Sequence, residues 1–208
     1  PLIEYNSLSI IGVNSYDLYG NKVLDSIYGC GVIYKTNIHY TDGTVKEDVK
    51  LLSNEQNIKE FEYYVITNRH LVAKFNTNRV YLGSKIGEID AELVQYDKKI
   101  DLAVIKFRSR YYVPNAKLGS NENLEKGEFI LSLGSGTDKD YFRTYTFGVI
   151  SSPKRYVNTD TDNDGINDWD SEYIQHDASL NEGDSGGAII NMKGEIIGIN
   201  STKISSAK

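Results

Sequence analysis

The sequence predicts an all-β chain folded as two antiparallel β-barrels with a cleft between them. Short runs of β-branched and aromatic residues, punctuated by glycine and asparagine turns, recur along its length, and helical periodicity is scarce. A chain of 208 residues is long enough for one large all-β unit or two small barrels with a real core. A sandwich satisfies the same pattern, but residues able to do chemistry fall in both halves, and two barrels facing a shared cleft bring them together most economically.

Taken in order, Leu8 to Val13 and Ile27 to Tyr34 read as the first strands, separated by a polar turn region. Between Lys35 and Glu62 the pattern dissolves into Thr-Asp-Gly, Lys, Glu and Asn, which reads as an inserted hairpin or surface loop, and His39 there is expected to be solvated with no acidic partner. Tyr63 to Asn68 is an apolar strand that runs directly into Arg69-His70-Leu71-Val72, a single helical turn. Arg79 to Leu82 and Glu88 to Tyr96 follow as strands, and Asp101 heads the buried run Leu102 to Phe107. A carboxylate at the head of a buried strand costs free energy unless it is hydrogen-bonded, and an imidazole N–H would satisfy it. Asp97, the competing acid, lies in a Lys-rich turn and reads as solvated.

Residues 1–110 are thus expected to form the N-terminal barrel, 111–127 the connection and 128–208 the C-terminal barrel. In the second half Glu128 to Leu133, Arg143 to Ile150, Ala188 to Ile190 and Glu195 to Ile199 are the strands.

Composition narrows the function. With 29 acidic against 23 basic residues the net charge is −6, and the positive charges do not cluster, so no nucleic-acid surface is expected. The one cysteine, Cys30, excludes an internal disulfide and reads as a small buried hydrophobe. No run of residues is long and apolar enough to span a membrane, and no signal peptide is evident. The first residue is Pro1 rather than methionine, which reads as a processed or trimmed form whose export signal or membrane tether would lie outside it.

The chemistry centres on Gly183-Asp184-Ser185-Gly186-Gly187 followed by the apolar Ala188-Ile189-Ile190. A serine between glycines ahead of a strand describes a hydroxyl on a tight loop, with backbone N–H groups free to meet an incoming oxygen; a plain hairpin turn fits the pentapeptide equally well. In α/β-hydrolases such a serine is followed by its acid and then its histidine. Here 23 residues follow Ser185 and none is histidine, so that order fails. The opposite order, histidine then aspartate then serine, is met by His70, Asp101 and Ser185.

The segments Tyr64-Val-Ile-Thr-Asn-Arg-His-Leu-Val72, Ala91-Glu-Leu-Val-Gln-Tyr-Asp-Lys-Lys-Ile-Asp-Leu-Ala-Val-Ile-Lys106, Gly148-Val-Ile-Ser151, Ile174-Gln-His-Asp-Ala-Ser-Leu-Asn-Glu-Gly-Asp-Ser-Gly-Gly-Ala-Ile-Ile-Asn191 and Gly194-Glu-Ile-Ile-Gly-Ile-Asn200 together resemble the chymotrypsin-fold serine proteases of the HtrA/Deg type. The likeness spans roughly Gly29 to Asn200. It implies two six-stranded antiparallel barrels, with Ser185 as nucleophile, His70 as general base and then acid, and Asp101 orienting His70. It implies an oxyanion hole at Gly183, Asp184 and Ser185, made chiefly by the N–H groups of Gly183 and Ser185. It also implies a pocket at Leu180, Asn200 and Ser201 for small to medium aliphatic side chains.

The resulting expectation is a secreted or cell-surface serine endopeptidase acting on proteins or peptides, of undefined oligomeric state. The rival is a catalytically silent binding or chaperone module on the same fold. The chain departs from the family in carrying Asp184 where asparagine is usual and His176 where threonine is common. It also stops at Lys208, ahead of the family's last barrel strand and C-terminal helix, and leaves no room for a PDZ domain within these residues.

One insert is independent of that likeness. Asp160, Asp162, Asp164, Gly165, Ile166 and Asp168 follow the Asp-x-Asp-x-Asp-Gly pattern, in which alternate carboxylates, a backbone carbonyl at Ile166 and Asp168 would surround Ca2+. The twelfth position is Ser171, flanked by Asp170 and Glu172, so the final ligand stays open among the three. A solvated acidic loop is the alternative.

Overall fold

The computed structural model describes residues 10–16, 19, 28–47, 56–73, 75, 77–135, 143–159, 166–167 and 169–201, with backbone alone for 10–16, 159 and 169–170. The first sheet contains β1 (Ile10–Tyr16), β2 (Tyr28–Tyr40), β3 (Val45–Glu47), β4 (Ile58–Asn68), β5 (Thr77–Tyr81), β6 (Glu88–Asp97) and β7 (Leu102–Ser109) in the order β1-β5-β6-β7-β4-β2-β3. A further antiparallel pairing of β1 with β2 closes six of these strands into a barrel and leaves β3 as a flap on β2. β7 shows why the sequence folds this way. Ala103, Ile105 and Phe107 point inward and are buried while Arg108 is exposed, the period-two pattern of a strand with one face on a core. Tyr63 stacks on Phe107 at 4.9 Å in that core, its hydroxyl donating to Tyr111 O at 2.7 Å and accepting from Val113 N at 2.9 Å.

The second sheet has the order β11-β10-β9-β12-β13-β8, built from β8 (Lys117–Leu118), β9 (Phe129–Gly134), β10 (Thr144–Thr159), β11 (Trp169–His176), β12 (Ala188–Asn191) and β13 (Glu195–Ile199). Its pairings are antiparallel except β13 with β8, which is parallel. β8 falls within the expected 111–127 connection but pairs with β13, which makes it part of the second sheet. Whether a further strand closes that sheet concerns residues 202–208, which lie outside the described ones.

Ile33 of β2 points into the first barrel's core, whereas Cys30 and Val32 share a core with Leu133, Ala188, Ile190 and Ile196, so the face of β2 turned away from the first core is covered by the second sheet. The only helical segment among the described residues is α1 (Arg69–Val72), whose Leu71 and Val72 are buried. Among the described residues no helix is long and apolar enough to cross a membrane.

Two elements differ from the sequence reading. β2 continues to Tyr40 and pairs with β4 along its length, because Thr36 and Ile38 face inward between the outward Lys35, Asn37 and His39. The polar outer face hides that strand from a hydrophobicity scan. His39 is consequently half-buried, not solvated, with Nε2 3.8 Å from Glu62 Oε1. β10 likewise runs on past Ile150 to Thr159 and pairs with β11; bulges around Ser152 and Arg155, beside Pro153, break its alternation.

Candidate active site

His70 lies in α1, directly after β4, and Asp101 lies in the turn that leads into β7. β4 and β7 are neighbours in register to Asn68↔Leu102, so the two residues emerge side by side from the same end of the barrel. The unpaired N–H groups that open α1 are met by Asp101: Arg69 N donates to its carbonyl at 3.0 Å and His70 N to Oδ1 at 3.0 Å. Asn68 Nδ2 adds a bond to the same carbonyl at 3.1 Å. Asp101 holds φ at 51°, a left-handed conformation that aspartate tolerates better than most residues.

Asp101 is 4% exposed, and its carboxylate is well supplied with donors. Besides His70 N, Oδ2 accepts from His70 Nδ1 at 2.6 Å and from Ser201 Oγ at 3.0 Å. In the neutral imidazole, a proton on Nδ1 directed at Asp101 leaves Nε2 as the acceptor nitrogen. Asp97, by contrast, is exposed and caps its own turn by accepting from Lys99 N at 2.7 Å.

Ser185 sits on the loop between β11 and β12, half-buried. Its hydroxyl donates to Ser201 O at 3.3 Å, and among the described residues no hydrogen bond joins it to His70. The loop around it is fixed peptide by peptide. Asp184 N donates to Asn181 O at 3.1 Å, Gly187 N to Asp184 O at 3.0 Å, and Gly186 N to Asn200 O at 2.8 Å. Among the described residues the N–H groups of Gly183 and Ser185 make no hydrogen bond. They are the two donors available to an oxyanion, whereas the N–H of Asp184 is engaged within the turn. Gly183 adopts φ of 92° and Gly186 of 82°; a Cβ at Gly186 would sit 2.0 Å from Cys30 O.

Asp184 is buried, 5% exposed, and its Oδ2 accepts from Asn181 N at 2.7 Å, so its carboxylate points into the loop that it shapes. Of the residues expected in the substrate pocket, Leu180 is half-buried on this loop. Asn200 is buried, pairs through its main chain with Gly186 and Gly187, and donates from Nδ2 to Ser132 Oγ at 2.8 Å. Ser201 bridges Asp101 and Ser185, its hydroxyl donating to Asp101 Oδ2 at 3.0 Å and its carbonyl accepting from Ser185 Oγ at 3.3 Å. His176 ends β11, half-buried, and burial pushes its pKa below the ordinary histidine value.

Of the calcium-type insert, Asp160, Asp162, Asp164 and Asp168 lie outside the described residues, and Ile166 is exposed. The pairing Thr159↔Trp169 brings the two ends of the insert together at the far end of the β10–β11 hairpin. Among the described residues no group of three His, Cys, Asp or Glu side chains is arranged to hold a metal. Ser171 Oγ donates to Lys99 O at 2.9 Å, tying this hairpin to the turn that bears Asp101.

Sequence reasoning missed Cys30, Thr67 and Asn68, which brace the site from β2 and β4. Only their place beside glycines and histidine could have marked them.

Comparison with known proteins gives the same picture. Residues 28–199 match the trypsin-like peptidase domain family. The chain is 37% identical over 216 residues to the serine protease Do-like HtrA of Bacillus subtilis, covering 98% of this chain and 42% of that protein. It is 38% identical over 138 residues to a Pseudomonas putida protein described as "Probable periplasmic serine endoprotease DegP-like", covering 66% of this chain and 26% of that one. The HtrA-type protease AlgW, solved with a tripeptide, superposes with a TM-score of 0.65 at 26% identity, over 96% of this chain and 52% of that one. The chain spans roughly a third of the length of the curated relatives that it matches.

Proposed function

This chain belongs to the trypsin-like peptidase family, in its HtrA/Deg branch, and from that premise we propose that it is an extracytoplasmic serine endopeptidase working through Ser185, His70 and Asp101. The observation that carries the proposal is the Asp101 carboxylate, buried and bonded at 2.6 Å to His70 Nδ1. That contact fixes the imidazole tautomer and stabilises the imidazolium that forms when Nε2 takes a proton.

In the proposed mechanism the Ser185 hydroxyl rotates about χ1 from Ser201 O to His70 Nε2. Such rotations between staggered positions are inexpensive. His70 removes the hydroxyl proton as Oγ attacks the scissile carbonyl carbon, and the carbonyl oxygen becomes an oxyanion between the N–H groups of Gly183 and Ser185. Each such donor contributes on the order of 3 kcal/mol to the transition state. His70 then gives its proton to the leaving amine, leaving an acyl group on Ser185. Water repeats the cycle, with His70 as base and Ser185 as leaving group.

Protein and peptide chains are the proposed substrates, with Leu180 favouring aliphatic side chains ahead of the cut. The periplasmic description of one relative supports placement outside the cytoplasm. Calcium is proposed for residues 160–168, whose all-oxygen donor set of Asp160, Asp162, Asp164, the Ile166 carbonyl and Asp168 suits a hard cation; it would supply charge neutralisation and order at the hairpin tip.

The test is cleavage of an unfolded protein such as casein by the chain and by Ser185→Ala. New peptides from the parent and none from the variant are expected. An equally inert parent that binds casein would favour the silent binding module.

A further inference from the structure

Cys30 is held at three points, and each of them bears on the oxyanion loop. Its N–H donates to Ser185 O at 2.7 Å, its thiol donates to Gly183 O at 3.2 Å, and its carbonyl accepts from Thr67 Oγ1 at 2.6 Å. Cys30 belongs to β2 of the first barrel, whereas Gly183 and Ser185 belong to the second. The cysteine therefore joins the two sheets at the two residues whose N–H groups make no hydrogen bond among the described residues.

We propose that the Cys30 thiol is a positioning residue for the oxyanion hole, holding the Gly183 carbonyl toward β2 so that the loop keeps both donors aimed at the substrate. The reasoning follows the peptide planes. Gly183 O and Asp184 N share one plane, pinned at one edge by the thiol and at the other by Asn181 O. Ser185 O and Gly186 N share another, pinned by Cys30 N and Asn200 O. The plane between them has its carbonyl, Asp184 O, bonded to Gly187 N, so its N–H, that of Ser185, must face the opposite way. Removing the thiol donor leaves the first plane held only at its Asp184 N edge, with the Gly183 carbonyl released from β2. Gly183, at φ of 92° and without a side chain, offers little resistance to reorientation of its own N–H.

The thiol is suited to permanent service as a donor. Cys30 is fully buried, and burial together with the nearby Asp184 carboxylate pushes its pKa far up, so it stays protonated and inert. Thr67 Oγ1 fixes the Cys30 peptide, and Gly186 lets Cys30 O approach to a distance that no Cβ would permit.

This inference rests on the serine-peptidase reading, and the experiment separates the two. Cys30→Val keeps an apolar group of similar size and removes the donor; Cys30→Ser keeps a donor; Cys30→Ala is a third, smaller variant should the valine not fold. Each is assayed on a peptide substrate, for inhibition by a peptide aldehyde whose adduct places an oxyanion in the hole, and for thermal melting. Cys30→Val and Cys30→Ala should lose about tenfold in kcat and in aldehyde affinity while KM stays within about twofold. Cys30→Ser should recover most of both. A valine variant that matches the parent in kcat and aldehyde affinity, or a serine variant as impaired as the valine one, would overturn the proposal while leaving the peptidase reading intact. A parent without activity or aldehyde binding would overturn both.

Discussion

The Ser201 hydroxyl donates to Asp101 Oδ2 at 3.0 Å, across 100 residues of chain. Ser201, expected from the sequence in the substrate pocket, also supports the buried Asp101, and its main-chain carbonyl simultaneously receives the Ser185 hydroxyl. Ser201→Ala keeps the carbonyl and removes the donor. Loss of one hydrogen bond to a buried charge costs about 1.5–3 kcal/mol, so kcat should fall roughly ten- to hundredfold with little change in KM. Unchanged kcat would show that His70 alone suffices to hold Asp101.

Ser185, His70 and Asp101 should behave as one unit. By analogy with subtilisin, Ser185→Ala or His70→Ala should each reduce kcat by about a million-fold, and the double variant by little more. Steady-state kinetics on the three proteins checks this, and additive losses would contradict it.

The acid can be identified by substitution. Asp101→Asn leaves the shape of the site but presents the wrong hydrogen-bonding partner to Nδ1, and kcat should fall about ten-thousandfold, as it does in the Ser-His-Asp template enzyme. Asp97→Asn changes an exposed turn that accepts only from Lys99 N and should be nearly silent. A sensitive Asp97 would reverse the assignment.

His176 gives stability a pH dependence of known sign. Burial lowers its pKa in the folded state, so the unfolded chain binds the proton more readily. The stability contributed by the neutral ring is therefore complete above the unfolded value of about 6.5 and is lost as the pH falls from there through the folded value. His176→Thr should remove this contribution. Melting temperatures at pH 7.5 and pH 5 should differ more for the parent than for the variant, and equal drops would show that the imidazole is not the group responsible.

Calcium should act first on stability. The insert closes a hairpin whose paired strands run roughly 25–30 Å at about 3.3 Å per residue, and its strands touch the Asp101 turn through Ser171 and Lys99. With a dissociation constant of about 0.1–1 mM, calcium at a hundredfold excess adds roughly 2.7 kcal/mol. Chelation should lower the melting temperature and slow cleavage, and Asp162→Ala with Asp164→Ala should imitate it and ignore added calcium. Unchanged melting and turnover on chelation would refute the site; changed melting with unchanged turnover would confine it to a structural role.

The sequence carried much of this. Strands with one apolar face were legible, because the period of two is written in residues such as Ala103, Ile105 and Phe107. The order of His70, Asp101 and Ser185 likewise needed only three histidines to be sorted. What stayed hidden depends on contacts made far along the chain. The outer half of β2 carries a polar outer face and the extension of β10 is bulged, so both show as strands only through their pairing with β4 and β11. The bonds from Ser201 to Asp101 and from Cys30 to Gly183 span 100 and 153 residues. No local pattern announces them.

The most direct measurement is labelling with a fluorophosphonate probe, which reacts only with a serine activated by its base and seated in a formed oxyanion hole. We expect one label per chain, on the peptide carrying Ser185, absent from Ser185→Ala and greatly slowed in His70→Ala. A folded chain that takes up no label on Ser185, in buffer containing calcium, would contradict the assignment of this site to peptide-bond hydrolysis.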